Sequence, residues 1–346
     1  MRKAPRAGRQ APGRKKAPRA GRRAQGRKKA PGARGQGPGA SLMRLVYLGT
    51  PEFAVPTLER IVADGHEVVA VLTQPDRPKG RGQKDAMSPV KDAALRLGLA
   101  VHQPERVRRP EVVELLRGMA PDLMVVVGYG QIIPQAILDI PPQGIINVHA
   151  SLLPKYRGAA PIQWAIARGE KTTGVTTMKI DAGLDTGAML LKWETEIGAD
   201  ETAIELGARL ARAGAELLVQ TLDELSSIVP EAQDDSQATL APILKREDGH
   251  IDWTMSAREI LNRARGFQPW PGAYGFLKGQ RFHVWRGAIA DRRLAPGALL
   301  VEGKRLFAGC GGGSIELLEI QLEGKKRMAA SAFLNGFPIA SGEVLA

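Results

Sequence analysis

Between residues 43 and 148 short apolar runs alternate with stretches of helical periodicity, and this alternation limits the fold more than any other feature of the chain. Met43-Arg-Leu-Val-Tyr-Leu-Gly49 has the length and apolar content of a buried strand. Gly49-Thr50-Pro51 reads as a turn into a helix, with Thr50 as N-cap and Pro51 at the first helical position. Phe53, Val55, Leu58, Ile61 and Val62 then recur at helical spacing. Further strands are expected at 68–73, 100–103, 123–127 and 144–148, with helices at 89–97 and 134–138. Strands separated by helices in this way imply a mostly parallel sheet with helices on both faces, an α/β fold.

A long amphipathic helix follows at 201–225, its buried side formed by Leu206, Leu210, Leu217, Leu218, Leu222 and Leu225. Residues 230–242 read as a polar connection. Beyond it the apolar period drops to two, with short strands at 282–284, 299–301, 305–307 and 315–321 between Gly-rich turns, which suits a small antiparallel barrel. The expected organisation is a tail at 1–42, a catalytic domain at 43–230, a linker at 231–245 and a barrel at 246–346. Two folded domains suit a chain of 346 residues.

The net charge of +13 points to nucleic acid until it is located. Residues 1–42 hold 14 of the 49 Lys and Arg and none of the 36 Asp and Glu, so the rest of the chain is close to neutral. Within it, 43–244 carries −6 and 245–346 carries +5. The tail repeats Lys3-Ala-Pro-Arg-Ala-Gly-Arg9 at Lys16 to Arg22, and such Gly/Pro/Arg-rich text has nothing apolar to bury, so disorder is expected. Three readings compete for it: a mis-assigned translation start ahead of Met43, a basic RNA-gripping arm, and a targeting segment. No apolar run reaches the ~18–20 residues of a membrane span. Cys310 is the lone cysteine, which excludes a disulfide framework and a cysteine-built zinc site and fits a reducing compartment.

Three segments can carry chemistry. Neither Gly49-Thr-Pro-Glu-Phe nor Gly128-Tyr129-Gly130 has the glycines of a dinucleotide-binding turn, and both read as simple turns. In Gly144-Ile-Ile-Asn147-Val-His149-Ala-Ser151-Leu-Leu-Pro154, residues two apart on a strand face one side, so Asn147 and His149 point together. They sit at the carboxyl end of an expected parallel strand, where open α/β sheets place ligands. An amide donor beside an imidazole suits acyl transfer: both can stabilise an oxyanion, or neutral His149 can take a proton. The two aspartates of Asp181-Ala-Gly-Leu-Asp185-Thr-Gly187 could bind a metal, but no partner histidine has suitable spacing, and the loop reads equally well as a turn with Asx capping. The 14-residue stretch Gln74 to Met87 is long for a loop, and its Arg77, Lys79, Arg81 and Lys84 suit a phosphate-bearing substrate.

Val46-Tyr-Leu-Gly-Thr-Pro-Glu-Phe-Ala54, Gln74-Pro-Asp-Arg-Pro-Lys-Gly-Arg-Gly82, Asn147-Val-His-Ala-Ser-Leu-Leu-Pro154, Lys155-Tyr-Arg-Gly-Ala-Ala-Pro-Ile-Gln163, Gly183-Leu-Asp-Thr-Gly187, His250-Ile-Asp-Trp253 and Phe267-Gln-Pro-Trp-Pro-Gly272 together resemble the methionyl-tRNA formyltransferase family, over roughly 43–344. The resemblance implies a Rossmann-like formyltransferase domain followed by an OB-like barrel. It implies transfer of a formyl group from 10-formyltetrahydrofolate to the methionine amine of initiator methionyl-tRNA, without a metal, by a cytoplasmic monomer. Carried over residue by residue, Asn147, His149 and Asp185 are the catalytic set. Ser151, Leu152, Leu153 and Pro154 line the folate site, and Arg77, Lys79, Arg81 and Lys84 engage the tRNA acceptor end. One departure stands out: the family commonly has a second aspartate where this chain has Ala188, so the Asp185 loop needs another anchor. Formyltransferases acting on nucleotide sugars or glycinamide ribonucleotide share the catalytic trio, and a formyltetrahydrofolate hydrolase is a further option. The long basic stretch and the +5 barrel favour tRNA over a small substrate. From another class, a non-enzymatic RNA-binding protein would depend on the tail.

Overall fold

The computed structural model describes residues 42–79, 84–340 and 342–346. The expectations for the tail and for Arg81 lie outside these residues. From its start the chain runs β1 (Arg44–Gly49), α1 (Val55–Ala63), β2 (Glu67–Leu72), β3 (Arg77–Lys79), β4 (Lys84–Ala86), α2 (Pro89–Arg96), β5 (Val101–His102), α3 (Pro110–Gly118), β6 (Leu123–Val127), α4 (Gln135–Leu138) and β7 (Ile145–His149). It continues through α5 (Pro161–Ala167), β8 (Thr172–Lys179), β9 (Met189–Glu196) and α6 (Ala203–Glu224).

The central sheet has the order β5-β2-β1-β6-β7-β8-β9. Its first five strands are parallel, and β8 and β9 extend it antiparallel from β7. The strand order reverses between β1 and β6, the place at whose carboxyl ends open α/β sheets bind ligands. Alternate residues go to opposite layers. Leu45, Tyr47, Val125, Ile146 and Val148 pack with α1 and α6, whereas Val46, Leu48, Met124, Val126 and Ile145 pack with α3. A Cβ at Gly214 in α6 would lie 2.9 Å from Val148, so only glycine lets this helix approach β7 so closely. With Ile146 and Val148 committed to α6, Asn147 and His149 follow Ile145 to the other face.

The structure differs from the expectations at several points. Thr50 does not cap a helix; a 3-10 turn at Glu52–Ala54 precedes α1, and the Thr50 hydroxyl donates to the Tyr129 carbonyl at 3.1 Å. The basic stretch after β2 includes a short antiparallel pairing of β3 with β4 rather than loop alone. α3, α5, β8 and β9 are elements beyond those expected from the sequence.

Past residue 242 come α7 (Ala257–Gly266), β10 (Ala273–Leu277), β11 (Gln280–Ala290), β12 (Leu299–Glu302), β13 (Arg305–Cys310), β14 (Gly313–Leu322), β15 (Met328–Ala329) and α8 (Ala330–Gly336). The strands form an antiparallel sheet ordered β10-β11-β14-β13-β12, with β15 on β14, around Phe282, Val284, Leu306, Ile315, Leu317 and Ile320. Residues 343–346 join its two edges. Ala346 exchanges backbone hydrogen bonds with Phe276 on β10, and Leu299 on β12 donates to the Glu343 carbonyl. That contact closes the barrel and leaves neither edge bare. α7 docks on α5, where Trp164 and Phe267 meet edge to face at 5.3 Å. Among the described residues no helix is long and apolar enough to cross a membrane.

Candidate active site

The site is built where β7 ends. His149 is 6% exposed, and its Nε2 lies 2.9 Å from the Tyr156 carbonyl oxygen. A carbonyl can only accept, so Nε2 carries the hydrogen and the tautomer is settled. The free nitrogen, Nδ1, therefore looks across to Asp185, whose Oδ2 is 3.6 Å away. In the neutral ring Nδ1 is a lone pair available for a proton. Once protonated, it becomes an N–H beside a carboxylate.

Asn147 is 8% exposed, and no protein group among the described residues hydrogen-bonds its side chain. Its amide atoms are not among the fully buried unpaired ones, so they remain accessible and free to meet an acceptor on a ligand. Its neighbour two residues on is His149, so one face of β7 presents the amide and the imidazole together, as the strand period implies.

Asp185 comes from the turn between β8 and β9. Its φ is +52°, the left-handed region, which a non-glycine residue adopts only where its surroundings hold it. Oδ2 accepts from the Gly158 N–H at 2.8 Å. The other aspartate of the loop serves the turn itself. Asp181 Oδ1 accepts from the Gly183 N–H at 3.0 Å and from the Thr186 hydroxyl at 2.7 Å, an Asx turn. The anchor that Ala188 does not supply comes from elsewhere. Gln233 Nε2 donates to the carbonyls of Asp185 and Gly187, both at 2.8 Å, and the Ala188 carbonyl itself accepts from the Lys179 N–H at 2.9 Å.

Ser151 to Pro154 form the turn between His149 and its partner Tyr156. The Ser151 hydroxyl donates to the Lys155 carbonyl at 2.6 Å, and the Thr176 hydroxyl donates to the Ser151 carbonyl at 2.7 Å while accepting from the Leu153 N–H at 3.2 Å. Ser151 and Leu153 are fully buried, and Leu153 packs with Met178 and Met189. Leu152 and Pro154 are half-buried. Tyr156 then points into the protein, its phenol pushed up to about 12 by burial and by the Glu170 carboxylate to which it donates at 2.7 Å.

A cleft of about 610 Å³ opens beyond the ends of β1 and β2, lined by Thr50, Pro51, Glu52, Gln74, Pro75, Arg77 and residues 86–89. Its wall is tied to the turn after β6, because Thr50 Oγ1 and Gln74 Nε2 both donate to the Tyr129 carbonyl. Asp76 is bound by Lys91, and by Gln103 at 2.8 Å, and these partners hold its carboxyl below the usual range. Arg77, Lys79 and Lys84 belong to the paired strands β3 and β4, of which Arg77 and Ala86 line this cleft. Among the described residues no three His, Cys, Asp or Glu gather as metal ligands. The structure thus brings Asn147, His149 and Asp185 together. It adds the Tyr156 carbonyl, the Gly158 N–H and Gln233, none of which the sequence singles out, although Tyr156 and Gly158 lie within the Lys155–Gln163 motif.

A family model described as formyl transferase matches residues 43–222, and one described as formyl transferase, C-terminal domain, matches 243–338. Methionyl-tRNA formyltransferase from Solibacter usitatus is 64% identical over 307 residues, 88% of this chain and 98% of the relative. The one from Koribacter versatilis is 58% identical over the same shares. Among solved structures, HypX from Aquifex aeolicus in complex with tetrahydrofolic acid matches with a TM-score of 0.59 at 16% identity, over 88% of this chain and 51% of that one. WlaRD, a sugar 3N-formyl transferase, matches with a TM-score of 0.60 at 18% identity, over 83% and 100%. At those identities the structures speak for the fold.

Proposed function

Because the chain belongs to the methionyl-tRNA formyltransferase family, we propose that Asn147, His149 and Asp185 carry out its reaction, transfer of a formyl group from 10-formyltetrahydrofolate to the α-amine of initiator methionyl-tRNA. The donor supplies a formyl carbon already activated on a folate nitrogen. The residues of the chain orient the reactants and take up charge.

The observation that carries the reading is the unpaired amide of Asn147 beside His149 at the end of β7. As the amine adds to the formyl carbon, the carbonyl oxygen becomes negative, and a preorganised donor at such an oxygen is worth about 2.7–4 kcal/mol. The attacking nitrogen must also shed a proton, and that needs a base. His149 Nε2 is committed to Tyr156, so Nδ1 accepts that proton, and the Asp185 carboxylate 3.6 Å away balances the imidazolium. Returning the same proton to the departing folate nitrogen completes the cycle.

In this reading Leu152 and Pro154 touch the folate, while Ser151 and Leu153 shape the turn that bears them. Arg77, Lys79, Arg81 and Lys84 meet phosphates of the acceptor end, which enters by the cleft that Arg77 lines. Residues 43–230 hold the chemistry and the net +5 barrel at 246–346 grips the body of the tRNA. The enzyme acts as a monomer in the cytoplasm, in keeping with its family, and residues 1–42 are dispensable for transfer. The full chain should convert methionyl-tRNA to its N-formyl form with 10-formyltetrahydrofolate. Wild-type turnover by the double variant Asn147→Ala, His149→Ala would overturn the site.

A further inference from the structure

Residues 231–242 leave α6 and lie along the two loops that carry the site before they reach the barrel. Met189 and Glu231 exchange backbone hydrogen bonds at 2.8 Å. The Thr239 hydroxyl accepts from the Tyr156 N–H at 2.9 Å, its carbonyl accepts from the Arg157 N–H at 2.9 Å, and the Ala241 N–H donates to the Arg157 carbonyl at 2.7 Å. One side chain of this segment reaches the Asp185 turn. Gln233 Nε2 donates to the carbonyls of Asp185 and Gly187, and its Oε1 accepts from Arg157 Nε at 2.9 Å. Both hydrogens and the oxygen of the amide are used. The Arg157 guanidinium that orients it is itself buried and reaches on to Asp235 at 2.7 Å.

We infer that Gln233 is a positioning residue for formyl transfer, acting through Asp185. By holding the carbonyls on either side of the turn it keeps Asp185 at its φ of +52°, so that Oδ2 stays between the Gly158 N–H and His149 Nδ1. The inference rests on the reading of Asp185 as part of the catalytic set. It makes the segment leading to the barrel a component of the active site, although nothing in it touches a reacting atom.

Two substitutions separate this role from that of a simple loop staple. Gln233→Glu keeps the shape and the oxygen facing Arg157 but turns a carboxylate oxygen against the carbonyls of Asp185 and Gly187. Gln233→Ala removes the clamp altogether. In steady-state formylation of methionyl-tRNA, both should lower kcat by about 10–100-fold, the loss expected when a catalytic group is displaced by an ångström or so. KM for the tRNA and for 10-formyltetrahydrofolate should hold at wild-type values. In an Asp185→Ala background, Gln233→Ala should cost nothing further, since two residues acting through one group are not additive. Retention of kcat in both Gln233 variants, or full additivity in the double variant, would overturn the inference. An Asp185→Ala enzyme that turns over normally would instead overturn the assignment of Asp185, and the two failures are thereby told apart.

Discussion

The backbone N–H of Gly158 donates to Asp185 Oδ2 at 2.8 Å from a residue whose φ is +117°. Two residues earlier in the same loop, the Tyr156 carbonyl holds His149. A single stretch of backbone therefore sets both members of the His–Asp pair, and its conformation at Gly158 is one that side-chain-bearing residues avoid.

Substitution Gly158→Ala should damage fold and chemistry together. The new Cβ would lie 2.7 Å from the Ala241 carbonyl oxygen, and the φ is unfavourable regardless of space. Urea unfolding should register a loss on the order of 1–3 kcal/mol. The folded fraction should also turn over more slowly than wild type at saturating substrates, because the hydrogen bond to Asp185 moves with the loop. Unchanged kcat in the folded protein would detach Gly158 from the site.

Removal of the Asn147 amide should act on the transition state. Asn147→Ala is expected to lower kcat by about 10²–10³-fold, as for other oxyanion donors, while KM for methionyl-tRNA stays put. Asn147→Asp preserves the size but presents acceptors to an oxygen that becomes negative, so it should be at least as slow as the alanine variant. Single-turnover formylation measures both.

How far the sequence anticipates this site depends on which atoms are involved. Period two along β7 is enough to put Asn147 and His149 on one side. Asp185 lies far from them along the chain; its glycine-rich loop reads equally well as a turn, and only the family resemblance joins it to Asn147 and His149. The Tyr156 carbonyl and the Gly158 N–H are backbone groups with no side-chain signature, and Gln233 sits in a stretch that reads as a polar connection. The fold shows the same division. The apolar parallel strands are legible, but β8 is not, because it buries the polar side chains Thr176 and Thr177, whose hydroxyls are satisfied by the Ser151 carbonyl and by Thr221. For α3 a signal is present: Val112, Val113 and Leu116 recur at helical spacing behind Pro110.

The basic hairpin should contribute to tRNA affinity rather than to the chemical step. Arg77→Ala and Lys84→Ala should each raise KM for methionyl-tRNA and leave kcat intact. For each charge removed, the slope of log kcat/KM against log salt should become shallower by about one if that charge neutralises a phosphate. A salt titration of the two variants beside wild type reads this directly.

His66 should give the protein a pH-dependent stability unrelated to catalysis. It is buried under β1, where Nδ1 accepts from the Met43 N–H at 3.2 Å. Burial holds its imidazole below the ordinary 6.5, against the opposing pull of Asp64 and Asp223. The folded state thus keeps His66 neutral at a pH where the unfolded chain already binds the proton. Its contribution is complete above the unfolded value and is lost as pH falls from there through the depressed folded value. Between about pH 7 and pH 5, unfolding free energy should fall, and the slope should be shallower in His66→Asn. His283, depressed by burial and by Arg246, supplies a remaining part of the slope in that variant.

The course of residues 231–242 also bears on how such enzymes can be recombined. Leu240 and Pro242 offer their carbonyls to Arg168 and Trp164, so the formyltransferase half keeps hold of the chain right up to the point where the barrel begins. A chimaera that inherits its barrel from a relative should therefore cross over after Pro242. A crossover at residue 230 would slide a foreign strap beneath the Asp185 turn, and a graft meant to alter only tRNA preference would alter turnover as well.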